Sequence, residues 1–187
     1  MTPRPTLIVV SGPPGSGKTT LAHEIAAAVG CPAVCRDEIK EGMAHATPGF
    51  VPAPGDELTT RTLPVFFGVV ELFLNAGVTT VAEAAFQDKV WRPRLTPFLS
   101  LARLRIVHCV VDPDVAFQRI VRRKTANSAR RAHAEPGAAD AADAADYIRR
   151  HGAFDRISLD APSIEVDTTC GYRPGLGQVI AFIKDSG

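Results

Sequence analysis

Residues 12–19 of this 187-residue chain read GPPGSGKT, which fits the pattern GxxxxGK[ST] without a mismatch. The stretch follows an apolar, strand-like run and opens a helix-like segment, which is the context that the pattern requires. Its glycines let consecutive backbone N–H groups turn toward a phosphate, and the helix start adds partial positive charge. The sequence therefore predicts a loop that binds a nucleoside triphosphate through Gly12, Pro13, Pro14, Gly15, Ser16, Gly17, Lys18, Thr19 and Thr20.

Two side chains at the end of this loop carry the predicted chemistry. Lys18 is expected to reach the β and γ oxygens of the triphosphate and otherwise to face solvent. The Thr19 hydroxyl is expected to be a ligand of Mg²⁺. The chain is too short for an additional helical lid domain, and it has no Asn-Lys-x-Asp tetrapeptide to read guanine. Among the many users of such a loop, these features favour a small kinase.

Acidic residues follow two further strand-like runs. Asp37 comes just after residues 33–35, where a carboxylate could take a proton from an acceptor hydroxyl, help to hold Mg²⁺, or only cap the next helix. Glu83 ends the run 78–82, where it could orient the water shell of the metal or contact the substrate. Because the carboxyl ends of parallel strands share one crevice, both acids are expected near the phosphate-binding loop.

An arginine-rich segment follows the fourth strand-like run. Arg119 and Arg123 are four residues apart, so they share one helical face. They are expected to belong to a lid, at about residues 119–150, with Arg119 on the nucleotide and Arg123 acting on the transferring phosphoryl group. The alternative is a solvated basic helix. The Ala-Ala-Asp repeats at 138–146 are interpreted as a solvated face.

The elements that must position these groups alternate along the chain. Apolar runs at 6–10, 33–35, 78–82, 105–111 and 164–166 are separated by helix-like stretches, and this order predicts an α/β fold with a mostly parallel sheet. Asp112 and Pro113 have the types expected of an N-cap and a first helical residue. The segment 47–56 holds three prolines and two glycines, which predicts a long loop.

Composition limits the function classes. Lys plus Arg is 21 and Asp plus Glu is 20, and the resulting net charge of +1 argues against a long groove for nucleic acid. No apolar run is long enough to span a bilayer and no signal-peptide pattern is present, so a cytoplasmic protein is expected. The four cysteines form no CxxC pair and have no matching histidine pair, which predicts neither a zinc site nor a disulfide framework. No pattern indicates an oligomeric state.

The chain resembles the small P-loop kinases of the AAA-type group, which includes enzymes like chloramphenicol phosphotransferase, zeta-toxin-like kinases and the 5′-kinase domain of polynucleotide kinase. The resemblance rests on residues 12–20, 36–38 (RDE), 81–86 (VAEAAF), 110–123 (VVDPDVAFQRIVRR) and 166–169 (VDTT). It implies a single P-loop kinase domain over residues 1–187, with a five-stranded parallel sheet in the order 2-3-1-4-5 flanked by helices and a helical lid.

The resemblance also implies the reaction. ATP with Mg²⁺ would donate a phosphoryl group to a hydroxyl, with Asp37 as general base and with Asp37 or Glu83 near the metal, in part through water. Adenine would lie between the helix of Arg119 and the loop after Asp167.

The acceptor is expected to meet the region 47–61 and the segment after the third strand. Candidate substrate-binding residues there and nearby are Arg36, Phe50, Arg61, Glu83 and Phe86. Apolar groups with a few polar ones suit a small organic molecule, such as an antibiotic or a similar metabolite. The alternatives are a nucleoside, a nucleotide or a polynucleotide 5′-hydroxyl as acceptor, or a nucleotide-binding regulatory ATPase without such an acceptor.

Overall fold

A five-stranded parallel sheet forms the centre of the computed structural model, which describes residues 4–53, 55–126 and 141–185. The strands are β1 (Thr6–Ser11), β2 (Ala33–Cys35), β3 (Thr80–Glu83), β4 (Arg103–Val110) and β5 (Ser163–Asp167). The sheet order is β2-β3-β1-β4-β5, as the resemblance implied. Every residue of β1 is buried, because helices cover both faces of this central strand.

Helices pack on the two faces of the sheet and make two apolar cores. The described helices are α1 (Lys18–Val29), α2 (Arg36–His45), α3 (Glu57–Asn75), α4 (Asp88–Leu95), α5 (Pro113–Ala126), α6 (Ala141–Gly152) and α7 (Leu176–Lys184). One core lies against α3 and α4, and the other lies against α1 and α7. Part of the predicted lid, residues 127–140 with Arg130, Arg131 and Asp140, falls outside the described residues.

Strand register brings the predicted acids to the end of β1. Val10 is paired with Glu83, and Cys35 is paired with Glu83 from the other side. The start of α2, which follows Cys35 directly, therefore lies at the same edge of the sheet as the loop that follows β1. This edge is where the prediction placed the site.

Local signals at the helix ends agree with the structure in part. Asp112 Oδ1 accepts hydrogen bonds from the backbone N–H groups of Asp114 at 3.0 Å and Val115 at 3.1 Å, which confirms the predicted cap of α5. Residues 47–56 lie between α2 and α3, and those that are described are in no helix or strand, as predicted. Asp37 is the second residue of α2, and Cys35 occupies the N-cap position. The alternative in which Asp37 is only a helix cap is therefore wrong.

Among the described residues, no helix combines the length and the apolar character that crossing a membrane would need.

Candidate active site

The loop between β1 and α1 has the shape of a phosphate cradle. Gly15 and Gly17 have φ values of 79° and 72°, in the left-handed region that glycine adopts without strain. A Cβ atom at Gly15 would approach the carbonyl oxygen of Ala116 to 2.6 Å, so α5 packs too closely for any side chain there. The buried Ser16 hydroxyl has no hydrogen-bond partner among the described residues. This unpaired polar group and the glycine backbone fit the predicted triphosphate.

Lys18 and Thr19 meet Glu83 at the start of α1. The Thr19 hydroxyl donates a hydrogen bond of 3.1 Å to Glu83 Oε2, and Lys18 Nζ lies 3.9 Å from Glu83 Oε1. Lys18 is only 8% exposed, so the expectation that it faces solvent is wrong. The reason is the register of β3 with β1, which brings a carboxylate directly beside the lysine amine.

Burial and neighbouring charges act on the pKa of Glu83. Its side chain is 1% exposed, and this burial raises the pKa of the carboxyl. The neighbouring Lys18 opposes that rise, whereas the negative charge of Asp37 adds to it. The Thr19 hydroxyl thus contacts the Glu83 carboxylate, and Asp37 lies near enough for its charge to act on Glu83; such oxygen donors suit Mg²⁺. A divalent cation there would also relieve the repulsion between Glu83 and Asp37.

Asp37 is held by the residue before it. Arg36 Nη1 donates a hydrogen bond of 3.1 Å to Asp37 Oδ1, and Arg36 Nη2 donates one of 3.3 Å to the carbonyl of Thr59. Arg36 therefore connects the first turn of α2 to α3. The sequence analysis predicted that Arg36 binds the substrate. Its side chain is only 16% exposed, so little of its surface is available for that contact.

A cavity of about 350 Å³ lies beside the phosphate loop, between α5 and the loop after β5. Arg119 forms one wall, and its Nη2 donates hydrogen bonds to the carbonyls of Thr168 at 2.7 Å and Thr169 at 3.1 Å. Thr168 in turn donates from Oγ1 to the carbonyl of Ser16 at 2.8 Å. This is the space between α5 and the loop after β5 where adenine is predicted. The lining residues are Gly17, Thr20, Arg119, Arg122, Arg123, Thr168, Gly171 and Tyr172.

The described end of the lid region is attached to the phosphate loop. The Tyr147 hydroxyl on α6 donates a 2.6 Å hydrogen bond to the carbonyl of Pro14, and the Tyr147 ring lies 5.6 Å from that of Phe117 on α5. Burial raises the pKa of Tyr147 to about 12, so the hydroxyl stays a donor. Sequence reasoning missed Tyr147, because no motif marks an aromatic residue that acts through one long-range contact.

The residues predicted to bind the phosphate acceptor lie in different environments. Phe86 is fully buried, with its ring 4.6 Å from that of Trp91 and 5.9 Å from that of Phe66, so its assignment to substrate binding is wrong. The chain after β3 turns into the core there, and the Ser11 hydroxyl binds the Phe86 carbonyl. Phe50 is half-buried in the loop before α3. Arg61 is exposed and lies 3.4 Å from Glu57 on its own helix.

An ion pair that the sequence did not reveal ties this loop to α2. Lys40 Nζ donates hydrogen bonds to Asp56 Oδ2 at 2.8 Å and to Thr59 Oγ1 at 2.9 Å. Burial alone would raise the pKa of Asp56, but the bonds from Lys40 and Thr59 hold it at about 2. Asp56 also caps α3 through the N–H of Thr59. Lysine and aspartate 16 residues apart form no recognisable pattern, so only the fold shows the pair.

One protein-family model matches most of the chain. A family model described as an AAA domain matches residues 7–151, which include the phosphate loop, both acids and α5. Among curated proteins, none matches the sequence significantly.

Solved structures share the whole architecture. A candidate kinase from Chloroflexus aurantiacus superposes with a TM-score of 0.85 at 22% identity, covering 97% of this chain and 98% of that one. APS kinase from Mycobacterium tuberculosis gives 0.63 at 13% identity, with coverage of 98% and 99%. A gluconokinase from Sinorhizobium meliloti gives 0.57 at 15% identity, with coverage of 96% and 91%. At these identities the likeness establishes the fold.

Proposed function

The chain belongs to the AAA domain family and has the fold of the small P-loop kinases, and on that premise we propose that it transfers the γ-phosphoryl group of ATP to a hydroxyl of a small organic molecule. The observation that carries the proposal is the meeting of Lys18, Thr19 and Glu83, with Asp37 close enough to influence the charge of Glu83. A phosphate loop that only bound nucleotide would not need a second acid at the end of β2.

The residues divide the work of the transfer. Asp37 accepts the proton of the acceptor hydroxyl as that oxygen forms a bond to the γ-phosphorus. The bond from the γ-phosphorus to the β–γ bridging oxygen breaks, and ADP leaves. Lys18 stabilises negative charge on the β and γ oxygens throughout. Thr19 and Glu83 would hold Mg²⁺, which when bound neutralises phosphate charge.

Arg119 supports the binding of the nucleotide base. Its two bonds to the carbonyls of Thr168 and Thr169 fix the guanidinium plane against the loop after β5. A planar, preorganised cation suits stacking on an adenine ring. Arg123, one turn further along, donates from Nε to the Arg119 carbonyl at 3.3 Å and lines the same cavity. We assign it to the phosphoryl group in the closed lid.

A small acceptor is favoured over a long one. The names of the structural neighbours include a sugar kinase, a gluconokinase and a shikimate kinase, and each of these names denotes a small hydroxylated acceptor. The near-neutral charge of +1 gives no basic stripe for a polynucleotide. Within the small molecules we favour an antibiotic or similar metabolite that meets Phe50 in the loop before α3.

Acceptor-stimulated release of ADP tests this proposal. The purified protein, with ATP and Mg²⁺, is incubated with separate panels of hydroxyl-bearing antibiotics, sugars and sugar acids, nucleosides, and 5′-hydroxyl oligonucleotides. We expect stimulation by members of the first two panels, a phosphorylated product by mass spectrometry, and no stimulation in the Asp37→Asn variant. Stimulation confined to nucleosides or oligonucleotides would support the nucleic-acid alternative. ADP release that no acceptor alters would support a regulatory ATPase instead.

A further inference from the structure

Three potential metal ligands from separate parts of the chain meet beside the proposed active site. They are the His23 imidazole on α1, the Cys35 thiol at the end of β2 and the Glu38 carboxylate in the first turn of α2. Their ligand atoms all lie within 4.8 Å of one another. No step of the proposed phosphoryl transfer uses any of the three.

We propose that His23, Cys35 and Glu38 form a binding site for a borderline-soft divalent cation of the Zn²⁺ class. One nitrogen, one sulfur and one oxygen ligand match the donor types that Zn²⁺ accepts, and three protein ligands leave a fourth position for water. Mg²⁺ prefers oxygen ligands, so this site and the proposed Mg²⁺ site differ in the cations they select. The proposal does not depend on the phosphoryl-transfer reaction.

The distances are close to those of a tetrahedral site. Cys35 Sγ lies 3.7 Å from His23 Nε2. Zinc bonds of about 2.3 Å to sulfur and about 2.05 Å to nitrogen at a tetrahedral angle would separate these two atoms by about 3.6 Å. His23 Nε2 and Glu38 Oε1 are 2.7 Å apart, as a hydrogen bond, and would have to open to about 3.4 Å. Both side chains are about half exposed, 49% and 48%, so this small movement is unobstructed.

Binding must remove a proton from Cys35. A thiol binds a metal ion as its thiolate, so when the metal–sulfur bond forms, the S–H bond breaks and one proton passes to the solvent. The Cys35 thiol is also hydrogen-bonded to Glu83, so occupancy would alter the surroundings of that buried acid and fix the turn that carries Asp37.

The separation of the ligands in the sequence explains why spacing predicted no zinc site. His23 and Cys35 are 12 residues apart with α1, a tight turn and β2 between them. No short motif describes such a set. The packing of α1 against β2 and β3 brings the ligands together.

Cobalt(II) titration of the nucleotide-free and Mg²⁺-free protein tests the site, because a thiolate bound to Co²⁺ gives a charge-transfer band in the near ultraviolet. We expect one Co²⁺ per chain with this band, displacement by Zn²⁺, and release of one proton. Cys35→Ser should abolish the band, and His23→Gln and Glu38→Gln should each weaken binding at least tenfold. Cys170→Ser and His45→Gln, which change an exposed cysteine and an exposed histidine elsewhere, should leave the band unchanged.

Three results would overturn the proposal. The first is the absence of a band in the unaltered protein, and the second is a band that survives Cys35→Ser. The third is a band with full affinity in both His23→Gln and Glu38→Gln, which would reduce the site to a single thiol. Circular dichroism of each variant shows whether it is folded. Because Cys35→Ser replaces a buried sulfur, the two exposed-ligand variants keep the test decisive if that variant fails to fold.

Discussion

The proposed nucleotide side and the proposed acceptor side of this protein are built in different ways. The phosphate cradle comes from consecutive residues, and its donors are mostly backbone N–H groups whose directions are set by glycines and by the start of α1. The acceptor side is assembled from α2, the loop 47–56 and α3, which are joined by Arg36 to the Thr59 carbonyl and by Lys40 to Asp56. A site made of backbone can be read from a short motif, whereas a site made of side chains depends on how distant segments pack.

Replacing the lysine of the nucleotide side should give the largest loss. In Lys18→Ala we expect turnover to fall about 10³-fold or more, since one positive charge on a transferring phosphoryl group is worth about 10³–10⁵. Steady-state release of ADP measures it. Lys184→Ala, an exposed lysine at the end of α7, should keep full activity. Unchanged turnover in Lys18→Ala would contradict the role of the whole cradle.

The same contrast explains which parts of the molecule the sequence could predict. The sheet order, the cap at Asp112 and the loop 47–56 follow from local patterns or from the family resemblance, and the structure confirms them. The burial of Lys18 and of Phe86 was not foreseen, because it depends on the pairing of β3 with β1 and on the packing of the chain beyond β3. Contacts between residues that are far apart in the chain produce no recognisable spacing pattern in the sequence.

The acid at the start of α2 lies at the border of the two sides. Asp37→Asn keeps the shape of the side chain, and Arg36 can still hold its oxygen, but the basic site is lost. We expect turnover to fall about 10²–10⁴-fold, the usual range for a positioned base, with ATP binding nearly unchanged. Turnover and nucleotide affinity are measured together, and Asp160→Asn, at an exposed aspartate, serves as control.

Three outcomes distinguish the roles of Asp37. A large fall in turnover at an unchanged Mg²⁺ requirement supports the general base. A fall that high Mg²⁺ restores indicates a metal ligand instead. Near-normal turnover would contradict both roles and would leave the acceptor side without its proposed catalytic group.

The two arginines of α5 should separate binding from catalysis within the nucleotide side. Arg119→Ala removes the guanidinium that we propose to stack on adenine, and we expect ATP affinity to fall roughly tenfold, since a cation–π contact is worth about 1–2 kcal/mol. Arg123→Ala should lower kcat more than it raises the KM for ATP, because its charge is needed most in the transition state. Arg94→Ala, at an exposed arginine on α4, serves as the control and should leave kcat and the KM for ATP unchanged. If kcat and the KM for ATP were also unchanged in both α5 variants, this face of α5 would be a solvated surface without a role in the reaction.

The ion pair of the acceptor side should show the smallest effect on turnover and a distinct effect on stability. Asp56→Asn removes the carboxylate that faces the buried amine of Lys40 and caps α3. We expect the free energy of unfolding at neutral pH to fall by about 1–2 kcal/mol. This range is the free energy that corresponds to the lowered pKa of Asp56, reduced because solvent screens the charge. Glu57→Gln, the next residue in the chain and largely exposed, should change it little.

The pH dependence tests whether the charge of Asp56 causes the stabilisation. The pKa of Asp56 is about 2 in the folded protein against 3.8 ordinarily, so the folded state favours the charged form. The stabilisation is therefore complete above about pH 4 and is lost as the pH falls toward 2. Denaturant unfolding at a series of pH values should show the difference between the unaltered protein and Asp56→Asn shrinking below pH 4. A difference that stayed constant from pH 7 to pH 3 would show that the charge of Asp56 is not the source of the loss.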